Sequence, residues 1–280
     1  MDLKDYKGYK KVTLSDEALS QFYQEGTLPQ HTNLEFLENE YLFISDDIDI
    51  LDTYCYQKGN FRKVPYPTIS TTFSGQIKPR NPEQFIAMDM LKDRQSKVKL
   101  LKGVYGSGKD LLMLNEALEL IEKEIFEKII FIRPNVTAKG VPDIGYLPGD
   151  ADEKLAWTLG PFYDKLGGQE GVDYMIKSGK LEAIPLLFIR GRSFENSIVY
   201  VTEGQNITSE IAKLIISRIG ENSELWINAD THQTDNKIYD IDNGVTKMIE
   251  RLSGDALFSY VFLPTTERGA VADLANKLDE

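Results

Sequence analysis

Eight consecutive residues carry the most specific chemistry in the chain: Gly103, Val104, Tyr105, Gly106, Ser107, Gly108, Lys109 and Asp110. The spacing G-x-x-x-x-G-K is that of a loop whose backbone N–H groups cradle phosphate oxygens while the lysine supplies a point charge. The glycines allow the tight turns that aim those N–H groups. One position is out of pattern. A hydroxyl residue should follow the lysine, because its oxygen ligates Mg²⁺, and Asp110 stands there instead. Further on, an apolar run Ile198-Val-Tyr-Val ends in Thr202 and Glu203, where Asp-Glu is the expected second metal element of such a site. Hydroxyl and carboxylate have changed places between the two.

Glu203, at the end of a buried strand across from the loop, has the right type and place to orient or deprotonate an attacking water. Gln205 and Asn206 follow as γ-phosphate-sensing positions, and Asp230 and Gln233 occupy another strand end. Open α/β sheets bind ligands at such ends. Arg218 and Arg268 are phosphate-contacting arginine candidates, each as readily a structural ion pair. His31 and His232 lack metal-ligand spacing, and Trp157 and Trp226 sit among apolar neighbours as packing residues.

The elements that must position these residues are legible in the pattern. Lys97–Lys102 alternates charged and apolar side chains and runs into the loop as a strand. Residues 111–127 carry a helical apolar stripe. Residues 128–132, 185–189, 197–201, 225–228 and 260–263 read as further strands. Residues 82–91 and 207–219 read as helices, the latter with Thr208 as cap and Gly220 as stop. Strands alternating with helices predict an α/β fold, a parallel sheet flanked by helices. Before it, residues 1–33 form an N-terminal extension with a helix capped by Ser15. Three short strands in 34–66 make a small antiparallel β unit, 67–79 is a linker rich in Pro, Ser and Thr, and 80–280 is the main domain.

Composition narrows the setting. The chain has 280 residues, 41% hydrophobic and 27% charged, with a formal net charge of −12. So acidic a chain is a poor general polyanion binder. It leaves room for short basic spots at Lys78/Arg80, Lys97/Lys99/Lys102 and Arg190/Arg192, each as well explained by a solvated face. A single cysteine, Cys55, cannot form an internal disulfide, and no apolar run approaches the ~18 residues of a membrane span. The first residues have no apolar signal core. The expectation is a cytoplasmic protein with no membrane partner.

Several blocks together resemble the PhoH-like ATPases over about residues 34–280. They are Lys78-Pro-Arg-Asn-Pro-Glu-Gln84, Gly103–Lys109, Arg133-Pro134, Gly145–Asp150 with Glu153-Lys154, Ile189-Arg-Gly-Arg192, Glu203-Gly-Gln-Asn206, Arg218-Ile-Gly220, Ala229–Gln233 and Glu267-Arg268. The resemblance implies a P-loop NTPase core similar to that of superfamily 1 helicases, using ATP and Mg²⁺. It implies ring-shaped homo-oligomers, hexamers favoured, and ATPase and RNA-unwinding activity, so nucleic acid is an expected partner and RNA the favoured one. By resemblance Gln84 reads the adenine edge, Gly103–Asp110 with Gln205, Asp230 and Gln233 hold the nucleotide, and Arg218 and Arg268 act as arginine fingers or sensors. The small β unit resembles the segment that joins a PIN nuclease to the core in longer members. About 33 residues precede it, against the domain-sized stretch such a nuclease occupies.

The departures carry the question of function. The family has Thr or Ser at 110, Asp at 202, a small residue at 105, and Thr-Gly where Asn228-Ala229 stand. An Asp110 carboxylate beside phosphates opposes metal-free ATP, since like charges ~4 Å apart at an effective dielectric of ~20 repel by ~4 kcal/mol. A divalent cation between them reverses the sign. A reciprocal swap, with Asp110 as ligand and Thr202 holding a coordinated water, keeps one carboxylate and one hydroxyl at the metal. The reading is an Mg²⁺-dependent ATPase motor with catalytic Lys109, Glu203, Arg218 and Arg268. The alternative is a hydrolysis-deficient nucleotide-binding assembly factor; a phosphotransferase lacks a visible acceptor motif.

Overall fold

A computed structural model describes residues 5–28, 34–46, 49–134, 159–230 and 238–267. Among these, six strands form one all-parallel sheet: β7 (Val98–Gly103), β8 (Lys128–Ile132), β9 (Leu181–Ala183), β10 (Ser197–Val201), β11 (Glu224–Asp230) and β12 (Phe258–Leu263), in the order β12-β7-β11-β10-β8-β9. The chain is therefore α/β, as its alternation predicts. Both faces are covered, which is why β10 is buried at every residue and reads as an apolar run.

Period-two alternation decides which face each side chain joins. Ile198 and Tyr200 of β10, and Trp226 of β11, pack with α2 (Pro82–Lys92), α3 (Lys109–Glu122) and, beyond the short α4 (Gly160–Tyr163), with α5 (Gln169–Lys177). Val199, Val201, Leu225 and Ile227 pack on the opposite face. There they meet α6 (Ser209–Ile216) and, after the short α7 (Ile238–Ile241), α8 (Gly244–Leu252). The same alternation carries Thr202 and Asn228 to the α3 side.

Several boundaries differ from the sequence reading. Residues 186–188 form a 3₁₀ turn, not a strand: Pro185 has no amide to give a ladder, and its carbonyl accepts from Phe188 N. Helix α3 stops at Glu122 because Glu124 turns left-handed (φ 56°), with Ile125 N returning to Leu120 O and Phe126 dropping back into the core. Thr208 caps α6 as expected, through Ile211 N. The helix ends at Ile216, and Gly220 does not stop it. Gly220 instead lies against Phe194, whose carbonyl oxygen would sit 2.8 Å from a Cβ there. The linker segment carries a hairpin, β5 (Ile69–Thr71) and β6 (Gly75–Ile77), packed on α3.

The small N-terminal sheet is also larger than expected. The meander β2 (Tyr41–Ser45), β3 (Ile50–Gln57) and β4 (Asn60–Lys63) gains a parallel edge strand, β1 (Tyr9–Thr13), followed by α1 (Asp16–Glu25) with its Ser15 cap. A polar relay ties this sheet to the core. Asn39 donates to Ala256 O and Phe258 O, and Gln57 donates to Asn39. Arg62 donates to Gln57 and bidentately to Asp89, which also accepts from Tyr41. At the same end of the main sheet, Lys99 is fully buried on Glu224 at 2.7 Å, so the Lys97/Lys99/Lys102 spot is not a surface strip. Burial pushes the Lys99 ammonium down to about 8 despite that partner.

Gly204 marks how closely the strand-end turns approach. A Cβ there would lie 2.5 Å from Ile227 Cγ2 and 3.0 Å from Asn228 O. Gly204→Ala is expected to cost ~1–3 kcal/mol, as overpacking does, and to lower Tm by about 2–10 °C. An unchanged melting curve would show that the turn moves freely.

Candidate functional site

Strands β7, β10 and β11 end side by side, and each runs into a residue of interest: Gly103, Thr202 and Asp230. The loop after β7 turns through Gly106 (φ 75°) and Gly108 (φ 91°), left-handed conformations that favour glycine. Gly108 starts α3 without a side-chain cap, so the first N–H groups of that helix are left for an anion. Gly103 has no room for a Cβ, which would meet Leu263 O at 2.6 Å and Ser107 Oγ at 2.8 Å. Behind the loop, Gln84 Nε2 donates to Ser107 O and Gln84 Oε1 accepts from Arg80 N, so this amide braces the loop. In front, Thr266 donates to Tyr105 O and Glu267 N to Gly106 O, while the Glu267 carboxylate accepts from Asn81.

The loop borders a cavity of about 610 Å³. Its walls include Gln84, Tyr105, Gly106, Gly108, Lys109, Asp110, Glu203 and Asp230, all expected from the sequence, together with Arg80, Asn228, Glu267 and, from the far wall, Asp164 and Lys165. Gly103, Val104, Ser107, Thr202 and Gln205 lie behind this lining. Arg218 is elsewhere. It follows α6, and its carbonyl accepts from Phe194 N ahead of β10, at the end of the strands opposite the cavity. Gln233 and Arg268 fall outside the described residues.

Lys109 is engaged within the chain. Its ammonium donates to Gly103 O (3.0 Å), Val104 O (2.9 Å) and Asp230 Oδ1 (2.6 Å). Glu203 sits in a left-handed conformation (φ 54°), uncommon for a side-chain-bearing residue. Its Oε2 accepts from Gln205 Nε2 at 2.7 Å, and Gln205 Oε1 accepts from Asp230 N at 2.9 Å. Burial pushes the Glu203 carboxyl above its usual range, Asp230 and Asp110 add to this, and Gln205 and Arg133 oppose it.

Among the described residues, both side-chain hydrogen bonds to Asp110 fall on one carboxylate oxygen. Tyr200 Oη donates to its Oδ1 at 2.5 Å and Asn228 Nδ2 to the same oxygen at 2.6 Å. Asn228 also donates to the Tyr200 hydroxyl at 3.2 Å. Burial first, then the Asp110 carboxylate, hold the phenol well above its usual range, and it stays a donor. Thr202, two residues further along β10 on the same face, adds a smaller opposing effect on this phenol. Sequence reasoning had no role for Tyr200, which reads as one more apolar residue of β10. The signal was the alternation that turns 200, 202 and 228 toward the start of α3. Among the described residues no cluster of three His, Cys, Asp or Glu side chains forms a ready metal site.

The PhoH-like protein family model matches residues 76–271. The chain belongs to the PhoH family. Protein PhoH2 of Thermobispora bispora is 30% identical over 281 residues, covering 98% of this chain and 62% of that protein. Protein PhoH2 of Bacillus subtilis is 30% identical over 296 residues, covering 98% of this chain and 64% of that protein. Protein PhoH of Escherichia coli K12 is 33% identical over 191 residues, covering 66% of this chain and 52% of that protein. The chain thus spans less than two thirds of the length of these PhoH relatives. Among the described residues no helix is long and apolar enough to cross a membrane.

Replacing Gln84 by Ala orphans the Ser107 carbonyl and the Arg80 amide, each hydrogen bond being worth ~1 kcal/mol net. The expected result is binding of a fluorescent ADP analogue weakened about tenfold, the equivalent of ~1.4 kcal/mol. Affinity equal to that of the unsubstituted protein would remove the bracing role.

Proposed function

We propose that this PhoH-family chain binds ATP in the loop cavity and hydrolyses it with Mg²⁺, driving a helicase-type motor on nucleic acid, RNA favoured. One observation carries the reading: among the described residues, five carboxylates (Asp110, Asp164, Glu203, Asp230, Glu267) and three cations (Arg80, Lys109, Lys165) line a phosphate-cradling cavity. A polyphosphate entering alone meets an excess of like charge, and a divalent cation relieves it. Asp110 fits such a cation. It lines the cavity, and both hydrogen bonds to its carboxylate fall on Oδ1, leaving Oδ2 for an ion that takes one or two carboxylates plus phosphates and waters. Thr202, at the end of β10 on the α3 side, would hold a coordinated water. The ion would supply neutralisation of the charge that develops on the phosphates.

The rest is done by the chain. Lys109 exchanges its carbonyl and Asp230 partners for β- and γ-phosphate oxygens. The open N–H groups of α3 bind the same oxygens. Glu203, its proton affinity raised by burial, accepts a hydrogen bond from the attacking water and then its proton. Gln205 holds that carboxylate and ties it to Asp230. Arg218, at the opposite end of the strands from the cavity, would act on the cavity of a neighbouring copy in a homo-oligomeric ring.

The hydrolysis-deficient assembly factor draws support from Thr202, which is buried and does not line the cavity. Turnover of ATP by the unsubstituted chain, Asp110→Thr, Thr202→Asp and the double variant separates the readings, with and without single-stranded RNA. The motor predicts RNA-stimulated turnover, both single variants impaired at least tenfold, and recovery in the double. Absence of turnover with retained Mg²⁺-ATP binding would establish the alternative. A double variant no better than the singles would remove the swap.

A further inference from the structure

Two positions that the resemblance marks as departures, Asp110 and Asn228, meet at one side chain. Tyr200 is fully buried, with its hydroxyl hydrogen-bonded to both. A buried phenol needs a hydrogen-bond partner, and a carboxylate able to rotate would present either oxygen to the cavity. Here two donors converge on Asp110 Oδ1, at 2.5 and 2.6 Å, from two neighbouring strands. Strand geometry fixes both donors: Tyr200 pairs in register with Trp226, and Asn228 lies two residues beyond it on the same face. The carboxylate is pinned by one oxygen and offers the other.

That geometry matters for Mg²⁺, which demands near-ideal octahedral ligands and dehydrates reluctantly. A ligand must be held within ~0.5 Å of its productive place by partners that are themselves packed. We propose that Tyr200 and Asn228 are positioning residues for the metal, holding Asp110 by Oδ1 so that Oδ2 serves as a single-oxygen ligand. This rests on the reading of Asp110 as the metal-binding carboxylate. It adds that the exchange of Asp110 with Thr202 functions only in company with Tyr200 and Asn228.

The test measures the affinity of a fluorescent ADP analogue in Mg²⁺ and in EDTA, and takes the ratio for each protein. Tyr200→Phe and, separately, Asn228→Ala are expected to reduce the Mg²⁺ enhancement about tenfold, ~1.4 kcal/mol, while affinity in EDTA stays within about twofold. Asp110→Ala should abolish the enhancement, and adding Tyr200→Phe to it should change nothing further. Thermal unfolding checks that each variant is folded; Asn228→Ala carries the test if Tyr200→Phe is not. Binding weakened equally in Mg²⁺ and EDTA would mean a purely structural role and overturn the proposal. So would loss of the enhancement in Asp110→Ala alone, with Tyr200→Phe and Asn228→Ala unaffected; the Asp110 reading would then survive. If Asp110→Ala keeps the full enhancement, it is the Asp110 reading that fails, and the positioning role falls with it.

Discussion

A carboxylate in the first turn of a phosphate-binding helix has to be held, and the hydrogen bonds from Tyr200 and Asn228 to Asp110 do so. The positive end of α3 favours an anion there, but the same end is needed for phosphate. A free aspartate would compete with the ligand for those N–H groups. Bonding Oδ1 sideways, to the strands, keeps the carboxylate beside the phosphate path and out of it. Much of the site depends on this arrangement. Tyr200 bonds to Asp110 in the first turn of α3, and Asn228 stands two residues from Asp230, the residue that holds Lys109.

The loop is set by a second group of contacts on the other side of the cavity. Gln84 from α2 grips its back, and residues 266–267 grip its front. The α2 helix is in turn joined to the small N-terminal sheet through Asp89, Arg62 and Tyr41. These groups are buried or half-buried and hydrogen-bonded in series, so a shift of the small sheet would be felt along α2. The N-terminal sheet therefore belongs to the mechanical support of the phosphate loop.

Much of the fold was legible because its signals are local. Buried parallel strands read as apolar runs, and 128–132 and 197–201 coincide with β8 and β10. Ser15 and Thr208 cap helices because a side-chain oxygen there can take an otherwise unpaired N–H. The glycine loop was legible for the same reason. What escaped depends on contacts distant in sequence or on one special residue. Strand β1 exists through pairing with Tyr41–Ser45, far along the chain. Pro185 turned an apolar run into a 3₁₀ turn. Tyr200 looked like core packing, since its hydroxyl finds its partner ninety residues back. The sequence singled out Asp110 and Thr202 by residue type, and the structure puts Tyr200, two residues before Thr202, on Asp110.

The most direct measurement is a crystal structure with a non-hydrolysable ATP analogue and Mn²⁺, located by its anomalous signal. The account predicts one peak beside the β- and γ-phosphates, ~2.0–2.3 Å from Asp110 Oδ2, with Tyr200 and Asn228 still bonded to Oδ1. A peak held by the phosphates and Glu203, with Asp110 turned away, would contradict it.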